Sequence, residues 1–146
     1  MAFLYAVARR KMVVLFRRRR ILRGTATENP DEAGQKRRET VQRAGFTVEH
    51  YEYGLNFGNI VLVAARGALR LRFVRDRGDS FSEARSILHP RSEHWVAYNP
   101  RAPFSGAEGM DIDDLLTEIF DEANQSRLSL LVGLAEDASR FPFINH

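Results

Sequence analysis

Few residues in this 146-residue chain have types and spacings that could do chemistry. His89, Glu93 and His94 carry the imidazole and carboxylate groups that bind metal ions. The two histidines stand five residues apart, off a shared helical face, and Pro90 argues against a helix there, so only a loop site is conceivable. Asp111, Asp113 and Asp114 form a second acidic group. They sit at the start of a helical pattern, where carboxylates cap the helix and complement its dipole. No glycine-rich phosphate loop follows a strand, and no nucleophile elbow or metal motif is present. A Ser/His/Asp triad would have to be assembled from scattered positions. The chain has no cysteine, which excludes disulfides, cysteine-ligated zinc, iron–sulfur clusters and thiol catalysis. It also favours a reducing compartment. These residues point to a non-catalytic protein with no cofactor.

The most patterned charges are arginines. In Leu69-Arg70-Leu71-Arg72-Phe73 the period is two, so one strand face is apolar and the other cationic. Arg75, Asp76 and Arg77 extend the charge past its end. An ordinary solvated sheet face carries the same alternation. Before it, Ile60 and Leu62 point one way and Val61 and Val63 the other, the pattern of a more interior strand. Gly67 supplies the permissive backbone for a tight hairpin between the two.

The remaining charge is segregated. Residues 1–38 hold eleven Lys/Arg against three Asp/Glu, and residues 39–146 hold eleven against sixteen. The basic character therefore belongs to the leader. Its apolar runs, residues 2–8 and 12–16, are too short to span a membrane, which takes about 20 residues. The first run precedes the charges, the wrong order for a secretory signal. Arg17, Arg18, Arg19 and Arg20 point nearly all round a helix and leave no clean apolar face. Residues 1–28 are read as a disordered leader or the product of an upstream start codon. A basic tail of this kind also contacts nucleic acid or anionic lipid through Arg17–Arg20. At the other end, residues 105–146 hold nine Asp/Glu against two Arg. Asp113, Asp114, Glu118, Asp121 and Glu122 carry most of that acidity. It reads as solvated surface, and equally as the complement of a partner with a basic cleft.

Positioning these groups takes one domain over 29–146. Asn29-Pro30-Asp31-Glu32 predicts a helix start and Ala44-Gly45-Phe46 its stop, with a thin buried stripe of Ala33, Val41 and Ala44. Phe46 and Val48 open a strand whose end carries Tyr51, Tyr53 and Phe57. Arg77-Gly78-Asp79-Ser80 matches the integrin-binding tripeptide with its common following serine, and is read as a Gly-Asp hairpin turn. A fourth strand over 80–84 is expected with Phe81 inward, and a fifth over 95–98. Residues 99–109, with two prolines and two glycines, read as a loop. Ile112, Leu115, Leu116, Ile119, Phe120 and Ala123 make an unbroken helical stripe, capped by Asp111 with Met110 and Leu115 as a staple. Asn124-Gln125-Ser126 breaks it before a second apolar helix of Leu128, Leu130, Leu131, Leu134, Ala135 and Ala138, closed by Pro142. The fold class expected is α+β: an N-terminal helix, an antiparallel meander of three to five strands, and two C-terminal helices packed on the sheet.

The run Tyr53-Gly54-Leu55-Asn56-Phe57-Gly58-Asn59, the apolar strand after it, and Leu69-Arg70-Leu71-Arg72-Phe73-Val74-Arg75-Asp76-Arg77-Gly78 resemble small bacterial immunity-type proteins of polymorphic or contact-dependent toxin systems. The resemblance covers residues 39–85 and departs from the family's pattern at Asp79-Ser80-Phe81-Ser82, where an apolar strand would follow. It implies a cytoplasmic protein that neutralises a cognate toxin domain by binding it, and it carries no catalytic residues. The expected binding surface is either the strand arginines (Arg70, Arg72, Arg75, with Asp76 and Arg77) or the acidic helices (Asp113, Asp114, Glu118, Asp121, Glu122). Two other classes stay open: nucleic-acid or membrane-surface binding through the leader, and an enzyme whose dispersed site contains His89 or His94.

Overall fold

A computed structural model of the chain describes residues 28–90, 95–98, 110–137 and 141. The Arg17–Arg20 cluster, Glu93, His94 and the 99–109 loop lie outside the described residues. The fold is α+β, with three helices and one five-stranded antiparallel sheet. Helix α1 spans Pro30–Arg43 and is followed by strands β1 (Thr47–Gly54), β2 (Asn59–Arg66), β3 (Leu69–Asp76), β4 (Asp79–Ser86) and β5 (Val96–Ala97). Helix α2 (Ile112–Ile119), a 3₁₀ turn (Glu122–Asn124) and helix α3 (Gln125–Ala135) complete it. The strands lie in the order of the sequence, a meander.

Local chemistry sets most boundaries. The Asn29 side chain accepts hydrogen bonds from the Asp31 and Glu32 amides and so caps α1. At its other end Gly45 takes a φ of 87° while the Phe46 and Gly45 amides donate to the Val41 and Gln42 carbonyls, the Schellman pattern. The stripe α1 buries is Gly34, Arg37 and Val41 rather than the small apolar set expected, because an arginine occupies its middle. A Cβ on Gly34 would lie 3.1 Å from the Tyr51 ring, so glycine is what lets the helix approach β1 there.

Turn geometry fixes the register. The β3–β4 turn is Arg77–Gly78, with φ of 52° and 91°, the two positive values of a type I′ hairpin. It sets Asp76 opposite Asp79, and therefore Val74 opposite Phe81 and Arg72 opposite Glu83. Phe81 is thus turned away from the core, contrary to expectation. The core-facing side of β4 is Ser80, Ser82, Ala84 and Ser86. These are small because other backbone closes on them: the Ser82 hydroxyl donates to the Tyr98 carbonyl and the Ser86 hydroxyl to the Ala135 carbonyl.

One core contains Ile60, Leu62, Leu71 and Phe73 of the sheet, Phe46, and Leu115, Ile119 and Leu128 of the C-terminal helices. The Phe120 ring closes it, 5.1 Å from Phe46 and 5.6 Å from Phe73. Helix α2 stops at Ile119 instead of reaching Ala123, which is exposed. Asn124 ends it: its side-chain amide, buried, donates to the Ile119 carbonyl at 2.9 Å. In α3 Leu128, Leu131 and Ala135 are buried, whereas Leu130 is 64% exposed. No helix of the described residues is long and apolar enough to cross a membrane.

Candidate protein-binding face

Strand alternation gives the sheet two unlike faces. Residues 60, 62 and 64 of β2 and 69, 71 and 73 of β3 are buried in the core. Their neighbours Val61, Val63, Arg70, Arg72 and Val74, with Phe81, Glu83 and Arg85 of β4, are half-buried and lie outside it. A bulge between Val48 and His50 shifts the β1 register, so Val48, Tyr51 and Tyr53 pack toward the core while His50 and Glu52 pair with Val63 and Val61 on the second face. That face therefore has an apolar centre of Val61, Val63, Val74 and Phe81, bordered by charge.

The border is not the cationic stripe the sequence suggests. Arg70 Nε hydrogen-bonds both oxygens of Glu49, at 3.0 and 2.9 Å. Arg72 is held by Glu83 from the adjacent strand, Nε to Oε1 at 2.8 Å. Each of these arginines is neutralised by a carboxylate, Glu83 placed opposite Arg72 by sheet register and Glu49 supplied by the β1 bulge. Arg72 also stacks on Trp95, its guanidinium carbon 4.2 Å from the ring centroid, and Arg85 lies 5.0 Å from the same ring. Among the described residues Arg85 has no carboxylate partner, and its Nε is buried without a hydrogen bond. Trp95 thus takes two guanidiniums within cation–π distance, and a contact of this kind is worth about 1 kcal/mol.

The other expected site residues are dispersed. Arg75 has the parity of Leu71 and Phe73, so it leaves the second face and points toward the helices. There its Nε donates to the Gly58 carbonyl at 2.9 Å and its Nη2 to Glu28 at 3.1 Å. Asp76 is half-buried at the end of β3, and Arg77, in the turn, lies 5.6 Å above the exposed Phe57 ring. Asp113 pairs with Arg37 at 2.8 Å. Asp114, Asp121 and Glu122 are exposed on α2 and the turn after it, and Glu118 is partly covered. Arg70 and Arg72 are therefore apart from the acidic residues, whereas Arg75 and Asp113 are joined through Glu28 and Arg37.

Behind the sheet lies a network that the sequence reading missed. Arg37 is 2% exposed, and its guanidinium donates to Asp113, to Glu28 and to the Tyr51 hydroxyl. Glu28 bridges Arg37 and Arg75, and Asp111 lies 3.7 Å from Arg75. Burial alone would raise the Glu28 carboxyl, yet the hydrogen bond and charge of Arg37, with the charge of Arg75, hold it below the ordinary carboxylate value. Burial likewise works against the Arg37 charge, and Asp113 and Glu28 outweigh it, raising its pKa. Burial and the same carboxylate push the Tyr53 phenol up. One signal for the network was available: an arginine at the centre of the helical stripe Gly34–Arg37–Val41 must carry its partners with it.

Among the described residues no group of three or more His, Asp or Glu is arranged to hold a metal ion. His89 is half-buried beside the end of β4. No family model, curated protein or solved structure matches the chain.

Proposed function

We propose that this chain is a non-catalytic protein-binding module that docks a partner on the second face of its sheet, and that the partner is a cognate toxin domain which it neutralises by occupying it. On this reading both C-terminal helices pack against the core-facing side of the sheet, which leaves the opposite side to the partner. The observation that carries the proposal is the Trp95 ring within cation–π distance of both Arg72 and Arg85, on the face that also carries Val74 and Phe81. Tryptophan and arginine side chains are enriched among the groups that dominate protein–protein binding energy once a partner buries them. The charge of the face supports a protein rather than a nucleic acid. Arg70 and Arg72 are already paired with Glu49 and Glu83, so little positive field remains to attract phosphates. Arg85, with no carboxylate partner among the described residues, suits an acidic residue at the edge of the partner surface. The immunity-type role rests on the resemblance of residues 39–85, and a cytoplasmic location goes with it.

The test is capture from the host with tagged wild type and Trp95→Ala, followed by co-expression of the captured domain with each form. The expected result is one discrete protein domain, toxic alone, whose toxicity wild type relieves and Trp95→Ala does not. A captured domain neutralised equally by both forms would remove this face from the mechanism. Retention of nucleic acid or lipid alone would replace the reading with the one based on the leader.

A further inference from the structure

Two guanidiniums converge on one carboxylate at the base of α1. Arg37 Nη2 donates to Glu28 Oε1 at 2.8 Å, and Arg75 Nη2 donates to Glu28 Oε2 at 3.1 Å. Each oxygen thus has its own arginine, the arrangement by which proteins hold a carboxylate ligand. The arginines are fixed independently of Glu28. Arg37 is clamped at Nε by Asp113 and at Nη1 by the Tyr51 hydroxyl, and Arg75 is clamped at Nε by the Gly58 carbonyl. Glu28 belongs to no helix or strand, standing just before the Asn29 cap. A groove of about 390 Å³ between α1 and α2 reaches it from solvent, lined by Lys36, Thr40, Leu116 and Thr117 as well as Glu28 and Arg37. Both guanidiniums are thus held by groups other than Glu28, and the groove reaches Glu28 and Arg37.

We infer that Arg37 and Arg75 form a carboxylate-binding site that the chain keeps closed with its own Glu28. The ligand class is a carboxylate, the species whose two oxygens match the two donors. Asp113 pairs with Arg37 and lines the groove, and Asp111 lies 3.7 Å from Arg75, so the arginine charge is largely offset without Glu28 and a singly charged carboxylate is better matched than a doubly charged phosphate. Removal of the Glu28 carboxylate opens the site, and the intact chain stays closed to free ligand.

The experiment is thermal unfolding of wild type, Glu28→Ala and Glu28→Ala/Arg75→Ala in sodium acetate, sodium phosphate or sodium chloride at matched ionic strength. Glu28→Ala should gain a saturable acetate-dependent rise in Tm, on the order of 4 °C when acetate is tenfold above its dissociation constant. Wild type and the double variant should show none beyond chloride. If Glu28→Ala is unfolded in chloride, recovery of its circular dichroism by acetate is the same result. Failure of acetate to stabilise or refold Glu28→Ala would reduce Glu28 to a structural strut and overturn the inference. A response to phosphate alone would overturn the carboxylate assignment, and an equal acetate response in wild type would overturn the closure by Glu28.

Discussion

Arg72 and Arg75 are three residues apart on one strand and have opposite fates. Arg72 lies on the second face of the sheet, paired with Glu83 and stacked on Trp95. Arg75 passes to the helix side and joins Arg37 and Glu28 in a mostly buried network. The period-two geometry of a strand alone separates them. The difference is between charge committed to holding the fold and charge placed where a partner can use it. Each guanidinium nitrogen of Arg37 has a partner within the chain, and losing one member leaves the buried ones short of a partner. Around Arg72 water still reaches the group, so the chain loses little without it, and on the proposed function its value lies in contact with the partner.

Substitutions on the two sides should separate these roles. Arg37→Met leaves Asp113 without its partner and Glu28 with Arg75 alone. It should lower the unfolding free energy by about 3 kcal/mol, the usual cost of breaking a buried pair, measured by urea denaturation. Arg72→Met, by contrast, should cost no more than about 1 kcal/mol, since a half-exposed pair contributes little. A loss as large as that of Arg37→Met would dissolve the distinction. Trp95→Ala should weaken partner binding by on the order of 2 kcal/mol, the size of an interface hot spot, with a smaller effect on stability. Isothermal titration with the captured domain measures the first and denaturation the second.

The smallest effects come from the backbone and from pH. Gly67 has a φ of 57°, and a Cβ there would lie 2.7 Å from the Glu136 carboxylate that accepts the Ala68 amide. Gly67→Ala should therefore cost about 1 kcal/mol, read as a lowered denaturation midpoint. For Glu28 the sign follows from its depressed carboxyl. Its contribution is fully present above the unfolded carboxylate value of about 4.3 and is lost as pH falls through the lower folded value. Wild type should lose stability more steeply than Glu28→Gln below pH ~4, in denaturation series at several pH values. Parallel curves would show that the carboxylate is not coupled to the two arginines.

Much of the sheet was legible in the sequence. Alternation in Leu69–Phe73, double-sided apolarity in Ile60–Val63 and the Gly67 hairpin all translate directly into β2 and β3. The caps at Asn29 and Gly45 are equally local and equally visible. What failed were inferences that need register. Phe81 looked inward because it is the largest apolar residue of its segment, but the Arg77–Gly78 turn fixes the parity and the core side is filled by serines and alanine. Arg75 was grouped with Arg70 and Arg72, although counting by two already places it with Leu71 and Phe73. The bulge after Val48 has no composition signal, and it decides which aromatics of β1 enter the core. The candidate face was legible only in half. Its arginines are in the sequence pattern, while Glu49, Glu83 and Trp95 reach them across strands, through contacts that no local window contains.

The central claim is that the partner sits on the sheet face rather than on the acidic helices. The most direct test is to replace Phe81, in one protein, and Asp114, in another, with a photo-cross-linking amino acid and to irradiate each in host cells. A covalent adduct of one discrete mass from position 81, with none from position 114, is the expected result. An adduct from position 114 alone would contradict it and move the binding surface to the acidic side of the molecule.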